Sequence, residues 1–238
     1  MDAVLFDLGF TLIYFPDSER DRVRKYCEQL ISVTGLSYEE LSAERYKHHF
    51  EITTGAVSLR EAWGLALNAK GVNEPGLAES LERVQLTEKA VLYADALTAI
   101  RRLRKLGLKI GVLANSWPTN EVHAKELLSG EVDRVVFSHK IGFRKPHRRA
   151  YDAICSELGV KPQKCLFVSD EIFEDLWGAR RLGMQTAHVR RERGAGVFHF
   201  DPDARIVEPD YEADTLLEIT EQFEKRTGGV LTGAGPGN

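Results

Sequence analysis

Five short apolar runs, each reaching or ending beside a polar residue, set the terms for this chain. They are Ala3 to Asp7, Lys109 to Ala114, Val135 to Ser138, Cys165 to Ser169 and Thr186 to Val189. Continuous rather than alternating apolarity marks strands buried on both faces, as in a parallel sheet. Helical patterns separate them. Asp95 to Leu106 places Leu97, Ile100, Leu103 and Leu106 on a spacing of three and stops at Gly107, a residue type preferred just past a helix end. Lys145 to Leu158 and Ile172 to Leu182 behave the same way, with Gly159 and Gly183 as stops. Strands alternating with helices of this length predict an α/β fold, a doubly wound parallel sheet with right-handed crossovers and helices on both faces.

Between the first and second runs the strand signal vanishes, which predicts a helical insertion over residues 16–89 in a core made of 1–15 and 90–226. Four amphipathic helices can be traced in it. The first carries Val23, Tyr26, Cys27, Leu30 and Ile31 on one stripe and closes at Gly35. Ser37 with Glu40, and Ser58 with Glu61, have the spacing of capping boxes that open the second and third. The third shows Leu59, Ala62, Trp63, Ala66 and Leu67, and a fourth lies around Gly76 to Val84. After Gly194 the signal thins to a short run near Arg205 to Val207 and a polar helix from about Glu212 to Arg226. Residues 227–238, rich in Gly, read as a flexible tail.

Composition narrows the function. Among 238 residues, 32 Lys and Arg stand against 36 Asp and Glu, too balanced a charge for a nucleic-acid partner. No apolar run approaches the roughly 18 residues that cross a bilayer, so no membrane partner is expected. Cys27, Cys155 and Cys165 form no CxxC pair and no even framework, and read as buried thiols. With no signal-peptide pattern at the start, a cytoplasmic protein is expected.

In a parallel sheet the ligand site lies outside the carboxyl ends of the strands, so residues that follow the runs should converge. They are Asp7, then Asn115 and Ser116, then Asp170 with Asp175 five positions on. Lys145 joins them from the segment Gly142-Phe143-Arg144-Lys145-Pro146, where Pro146 suits the first turn of the next helix.

On these residues the chain resembles the haloacid dehalogenase-like hydrolase superfamily. Asp7-Leu8-Gly9-Phe10-Thr11 resembles its first motif, DxDxT, and Val112-Leu113-Ala114 with Asn115-Ser116 its second. Lys145-Pro146 matches the third, and Ser169-Asp170 with Asp175 the fourth. The insertion sits where that family carries a helical cap. The resemblance implies that Asp7 attacks phosphorus and forms an aspartyl-phosphate, which water then releases. It implies Mg2+ held by Asp7, the Gly9 carbonyl and Asp170, with Asp175 behind them or touching a bound water. Lys145 neutralises the nucleophile and a phosphate oxygen. Asn115, Ser116 and Thr11 are the candidate substrate-binding residues, Thr11 more as a brace for its loop. The partner expected is a small phosphorylated molecule.

Two departures qualify this. Gly9 stands where most phosphatases of the family carry a second aspartate, the general acid, and losing such a group forfeits about 100- to 10,000-fold in rate, or roughly 3 to 5 kcal/mol of barrier. Ala114 replaces the usual phosphate-binding hydroxyl, which leaves Ser116 to supply one. The alternatives are a haloacid dehalogenase, whose halide needs no proton, and a non-catalytic phosphate-binding or interaction protein. Dehalogenases of the family usually carry an aromatic residue at the Gly9 position and need no metal. The phosphonate-cleaving branch requires a cap lysine, and Lys25, Lys47 and Lys70 sit in no matching motif.

Other residues carry weaker expectations. His48 and His49, on adjacent helical positions, point about 100° apart and are expected on the surface. His123, His139 and His147 are not expected to bind an ion. Trp117 and Phe10 are expected to pack rather than line an entrance. Arg144 faces either phosphate or the cap, and Arg190-Arg191-Glu192-Arg193 reads as a solvated loop.

Overall fold

A computed structural model describes residues 1–191 and 203–231. Its main sheet has six parallel strands: β1 (Ala3–Phe6), β4 (Lys109–Ala114), β5 (Arg134–Phe137), β6 (Cys165–Ser169), β7 (Gln185–Val189) and β8 (Tyr211–Ala213). The order is β5-β4-β1-β6-β7-β8, so β1 lies in the interior of the sheet, between β4 and β6. Phe6 pairs with Val112 on one side and with Val168 on the other. The chain runs outward from β1 in one direction and then returns to build the other half, which makes the carboxyl end of β1 the switch point where such sheets form their crevice.

Helices cover both faces. On one, α6 (Ala96–Lys105), α7 (Pro118–Leu128) and α11 (Leu216–Leu231) pack Ile100, Leu103, Leu128, Ile219 and Phe223 against Val4, Phe6, Ile110 and Val112. On the other, α9 (Arg148–Leu158) and α10 (Asp175–Arg181) bury Tyr151, Ile154, Leu158 and Leu176 against Leu5, Leu113 and Phe167. Alternate residues of β1 thus serve opposite cores, as a strand's period of two requires. Gly111 is needed where β4 meets α9, because a Cβ there would collide with the side chains of Leu5 and Leu158.

Residues 16–89 hold no strand and carry five helices: α1 (Asp17–Ile31), α2 (Tyr38–Tyr46), α3 (His49–Thr54), α4 (Leu59–Ala69) and α5 (Leu77–Gln85). A two-stranded antiparallel ribbon, β2 (Ile13–Tyr14) with β3 (Val91–Leu92), stands at the base of the insertion. Trp63, Cys27, Ile31, Leu41 and Leu81 fill the cap core. Both capping boxes form: Ser37 accepts from the Glu40 amide and Ser58 from the Glu61 amide, and each glutamate reaches back to its serine's amide. The cap meets the core where α3 packs on α8 (Ser138–Ile141), and Trp117 of the core packs against the cap cluster.

Several sequence expectations need correction. Five cap helices replace four, because α3 is only six residues long and shows no periodic stripe. The Lys145–Pro146 peptide is cis and α9 begins at Arg148, so Pro146 lies outside the helix rather than in its first turn. The last strand is Tyr211–Ala213, not Arg205 to Val207, since it is Tyr211 and Ala213 that point into the core. Helix α11 runs on to Leu231, past the expected start of a flexible tail at residue 227, and residues 232–238 lie outside the described residues. His48 and His49 are partly buried rather than exposed, His49 stacking on Tyr46 with ring centroids 4.9 Å apart. Arg191 is not a solvated loop residue: it bonds Asp95 at 2.7 and 3.0 Å, while Glu192, Arg193 and Gly194 lie outside the described residues. All three cysteines are free and buried.

Candidate active site

Asp7 is the first residue past β1, and its amide still bonds to the Val168 carbonyl of β6 at 2.9 Å. That bond fixes the start of the loop, while Leu12 and Ile13 amides close it by returning to the Leu8 carbonyl. Phe10, at the tip, has φ 57, a backbone conformation rare for a side chain of its bulk. It borders a cavity of about 640 Å³ together with Tyr14, Arg20 and Tyr93.

The lysine after β5 reaches Asp7. Lys145 Nζ donates to Asp7 Oδ1 at 2.5 Å and to Asp175 Oδ2 at 2.7 Å, and its side chain is only 1% exposed. Its position is set from the main chain: the Lys145 amide donates to Asn115 Oδ1 at 2.7 Å, and Asn115 Nδ2 donates to the Lys145 carbonyl at 2.9 Å. Asn115 therefore anchors the lysine, and only its second amide hydrogen remains for a phosphate. Asp175 Oδ2 also accepts from Ser169 Oγ at 2.7 Å. Of the residues expected to hold an ion, Asp7 and Asp175 thus share the lysine.

Asp170 is tied to the Asp7 loop through Thr11. Thr11 Oγ1 donates to Asp170 Oδ1 at 2.9 Å and accepts from the Asp170 amide at 3.0 Å. Thr11 is fully buried, and both of these bonds brace the first loop against the fourth, the bracing role expected for it. Ser116 follows β4; its amide bonds Ser138 Oγ at 3.0 Å and its carbonyl meets His139 Nδ1 at 3.0 Å. Its own hydroxyl is buried with no partner, which suits a group awaiting a ligand oxygen. Ala114 is packed in the core and offers no hydroxyl.

Four residues that the sequence reading did not assign support this arrangement. Glu171 accepts from the amides of Phe173, Glu174 and Asp175, which orders the turn leading into α10. Tyr151 OH donates to the Asp175 carbonyl at 2.8 Å, and Gly178 gives it room, because a Cβ there would overlap the phenol. Ser138 and Ser169 close the ends of their strands through the bonds described above. Only the two serines had a sequence signal, each ending an apolar run.

Charge balance defines what the site can do. Asp7, Asp170 and Asp175 bring three carboxylates to a buried place that holds the single ammonium of Lys145. Burial pushes the Asp7 carboxyl up to about 7; Lys145 opposes that, while Asp175 and Asp170 add to it. Burial also works against the charge on Lys145, but Asp175 and Asp7 outweigh it and hold the ammonium above its ordinary value. Among the described residues no group of three or more His, Cys, Asp or Glu side chains is arranged as a metal site. The donors expected to hold an ion, Asp7, Asp170 and the Gly9 carbonyl, are all hard oxygens, and the three carboxylates here outnumber the one ammonium. That donor set fits Mg2+, which keeps several waters and takes only one or two protein carboxylates.

Arg144 faces the cap. It donates to Thr53 Oγ1 of α3 at 3.1 Å and to Glu174 Oε2 at 3.3 Å, with its guanidinium 5.7 Å from the Phe50 ring. A cleft of about 740 Å³ at this seam is bordered by Phe50 and Thr54 of the cap and by Lys145, His147 and Glu174 of the core.

A buried aspartate held by a lysine at the end of an interior strand, under a helical cap, defines a class of hydrolase. The haloacid dehalogenase-like hydrolase family matches residues 1–183, and the chain belongs to that family of enzymes. It is 28% identical over 235 residues to a glyceraldehyde 3-phosphate phosphatase of Methanopyrus kandleri, covering 94% of this chain and 98% of the relative. It is 27% identical to (S)-2-haloacid dehalogenase 1 of Pseudomonas sp. strain CBS-3, covering 73% and 74% of the two chains. The crystal structure of a HAD phosphatase from Thermococcus onnurineus shares the fold, with TM-score 0.65, 22% identity and coverage of 96% and 99%.

Proposed function

We propose that this chain is a magnesium-dependent hydrolase of small phosphate monoesters that works through Asp7. The observation that carries the reading is the contact of Lys145 Nζ with Asp7 Oδ1 at 2.5 Å beside Asp170, in a loop anchored to the interior strand. The phosphatase relative that spans nearly the whole chain supports it.

In the reaction, a carboxylate oxygen of Asp7 attacks phosphorus, a P–O bond forms, and the bond to the leaving oxygen breaks. Lys145 holds Asp7 in line and offsets the charge of an incoming phosphoryl oxygen. Ser116 supplies a hydroxyl to the phosphoryl group in place of the one missing at Ala114. Water then attacks phosphorus and returns Asp7 and inorganic phosphate. Asp7, the Gly9 carbonyl and Asp170 would hold Mg2+, which when bound supplies positive charge against the phosphate oxygens. Because Gly9 carries no proton, the departing oxygen takes one from water, which makes turnover slow for poor leaving groups.

The competing reading is dehalogenation of a 2-haloacid, favoured by Gly9, since a halide leaves unprotonated. Asp170 and Asp175 speak against it, because dehalogenation needs no metal and leaves those two carboxylates without an ion to hold. Release of phosphate from p-nitrophenyl phosphate with Mg2+, in the native protein against Asp7→Asn, tests the proposal: activity only in the native protein is expected. Absence of turnover in both, with chloride released from 2-chloropropionate without metal, overturns it. No described helix is long and apolar enough to cross a membrane.

A further inference from the structure

Arg144 stands directly before Lys145, and its guanidinium joins three segments of the chain. Nη1 donates to Thr53 Oγ1 of α3 in the cap at 3.1 Å, Nη2 to Glu174 Oε2 at the start of α10 at 3.3 Å, and Nε to the Lys145 carbonyl at 3.4 Å. That carbonyl also accepts from Asn115, so the lysine's main chain is held from β4 and from the arginine together. Glu174 in turn precedes Asp175, whose Oδ2 takes the Lys145 ammonium at 2.7 Å. Two neighbouring pairs, Arg144 with Glu174 and Lys145 with Asp175, therefore tie the same two stretches of chain twice. Thr53 is fully buried; its hydroxyl donates within its own helix, to the His49 and Phe50 carbonyls, and accepts from Arg144.

Stability does not explain this construction. Arg144 is 7% exposed and Glu174 4%, and an ion pair at that depth contributes little net stability, because the desolvation of both charges offsets their attraction. What it fixes is geometry. A guanidinium is a planar fork whose N–H groups keep set directions, so it holds three acceptors in one relation, which an ammonium on a flexible stem does not. Resting on the phosphatase reading above, we propose that Arg144 is a positioning residue for Lys145: its fork sets the lysine against Asp7 by gripping the cap and the start of α10 at once, so that a bond made in the cap governs the rate of the chemical step. Arg144 works through Lys145 and needs no contact with substrate.

The test follows kcat and KM for p-nitrophenyl phosphate with Mg2+ and, in the metal-free full chain, the 15N resonance of the Lys145 ammonium, assigned by its loss in Lys145→Arg. Thr53→Val keeps the shape of the cap residue, leaves the cap in its seat and removes the acceptor for Arg144. It is expected to lower kcat about 10-fold, with KM within about twofold, and to move the Lys145 resonance. Arg144→Lys keeps the charge and loses the fork, so it should lower kcat about as far as Arg144→Met, on the order of 100-fold. In the Arg144→Met background, adding Thr53→Val should change kcat no further, since residues that act as a unit are not additive. An arginine with only a structural role predicts an unchanged kcat and an unmoved lysine resonance in every variant that folds. In an active native protein, an unchanged kcat, a loss confined to KM or an unmoved resonance in Thr53→Val overturns the proposal, even where the Arg144 variants do not fold. If the native protein hydrolyses no p-nitrophenyl phosphate while the Lys145 resonance still moves in Thr53→Val, the phosphatase reading fails and the link from cap to lysine stands.

Discussion

The Asn115 amide closes on the main chain of Lys145 from both ends, accepting at 2.7 Å and donating at 2.9 Å, so the lysine is placed by a residue that need not touch substrate. Asn115→Ala should lower kcat about 10- to 100-fold, since sub-ångström placement of a reacting group carries that much. It should also lower Tm, because two part-buried bonds are lost. Thermal unfolding and steady-state kinetics check both, and an unchanged kcat would show that the lysine is held without it.

Gly9 has open space where a Cβ would stand and no left-handed backbone. Gly9→Asp therefore fits, and it installs a proton carrier beside the leaving oxygen. A gain of about 100-fold is expected for alkyl phosphates, with little change for p-nitrophenyl phosphate, whose phenolate departs unprotonated. Equal gains on both would point to a different role for the new carboxylate.

Asp7 makes stability depend on pH. Its carboxyl ionises near 3.8 when unfolded and near 7 in the fold, so across that window the unfolded chain sheds a proton that the native state keeps. Native stability from this group is full below about pH 4 and is lost as pH rises through about 7. Asp7→Asn removes the slope, so metal-free Tm curves of the two proteins should meet at acid pH and separate above neutrality, with the variant higher. Parallel curves from about pH 4 to 8 would refute the assignment.

Gly55 ends α3 in a left-handed conformation, φ 75, and a Cβ there would overlap the His139 carbonyl of the core. Gly55→Ala should cost on the order of 1 to 3 kcal/mol and lift the cap from its seat. Faster proteolysis between cap and core, with KM raised more than kcat falls, is the expected result; an unaltered digestion rate would show that the seam tolerates it.

Much of this was readable from residue order, for definite reasons. The strands at Lys109–Ala114 and Cys165–Ser169 begin and end where the apolar runs do, since burial on both faces leaves no ambiguity of period. Helix α3 escaped because six residues cannot show a stripe, and β8 because a three-residue edge strand alternates too briefly. The approach of Asp7 to Lys145 followed from strand ends sharing one edge. That Thr11 serves Asp170, or that Asn115 serves a main chain, depends on side-chain direction between segments up to 159 residues apart, which no local pattern encodes.

The interior position of β1 carries a consequence for biosynthesis. Ala3–Phe6 leaves the ribosome well before its neighbours in the sheet, which begin at Lys109 and Cys165. At translation rates of about 5 to 20 residues per second, that apolar segment waits several seconds or longer before any strand can pair with it. Throughout that interval the nascent chain offers an unpaired apolar strand while its helical insertion is already emerging, so the window most open to chaperone capture falls before residue 109 is made.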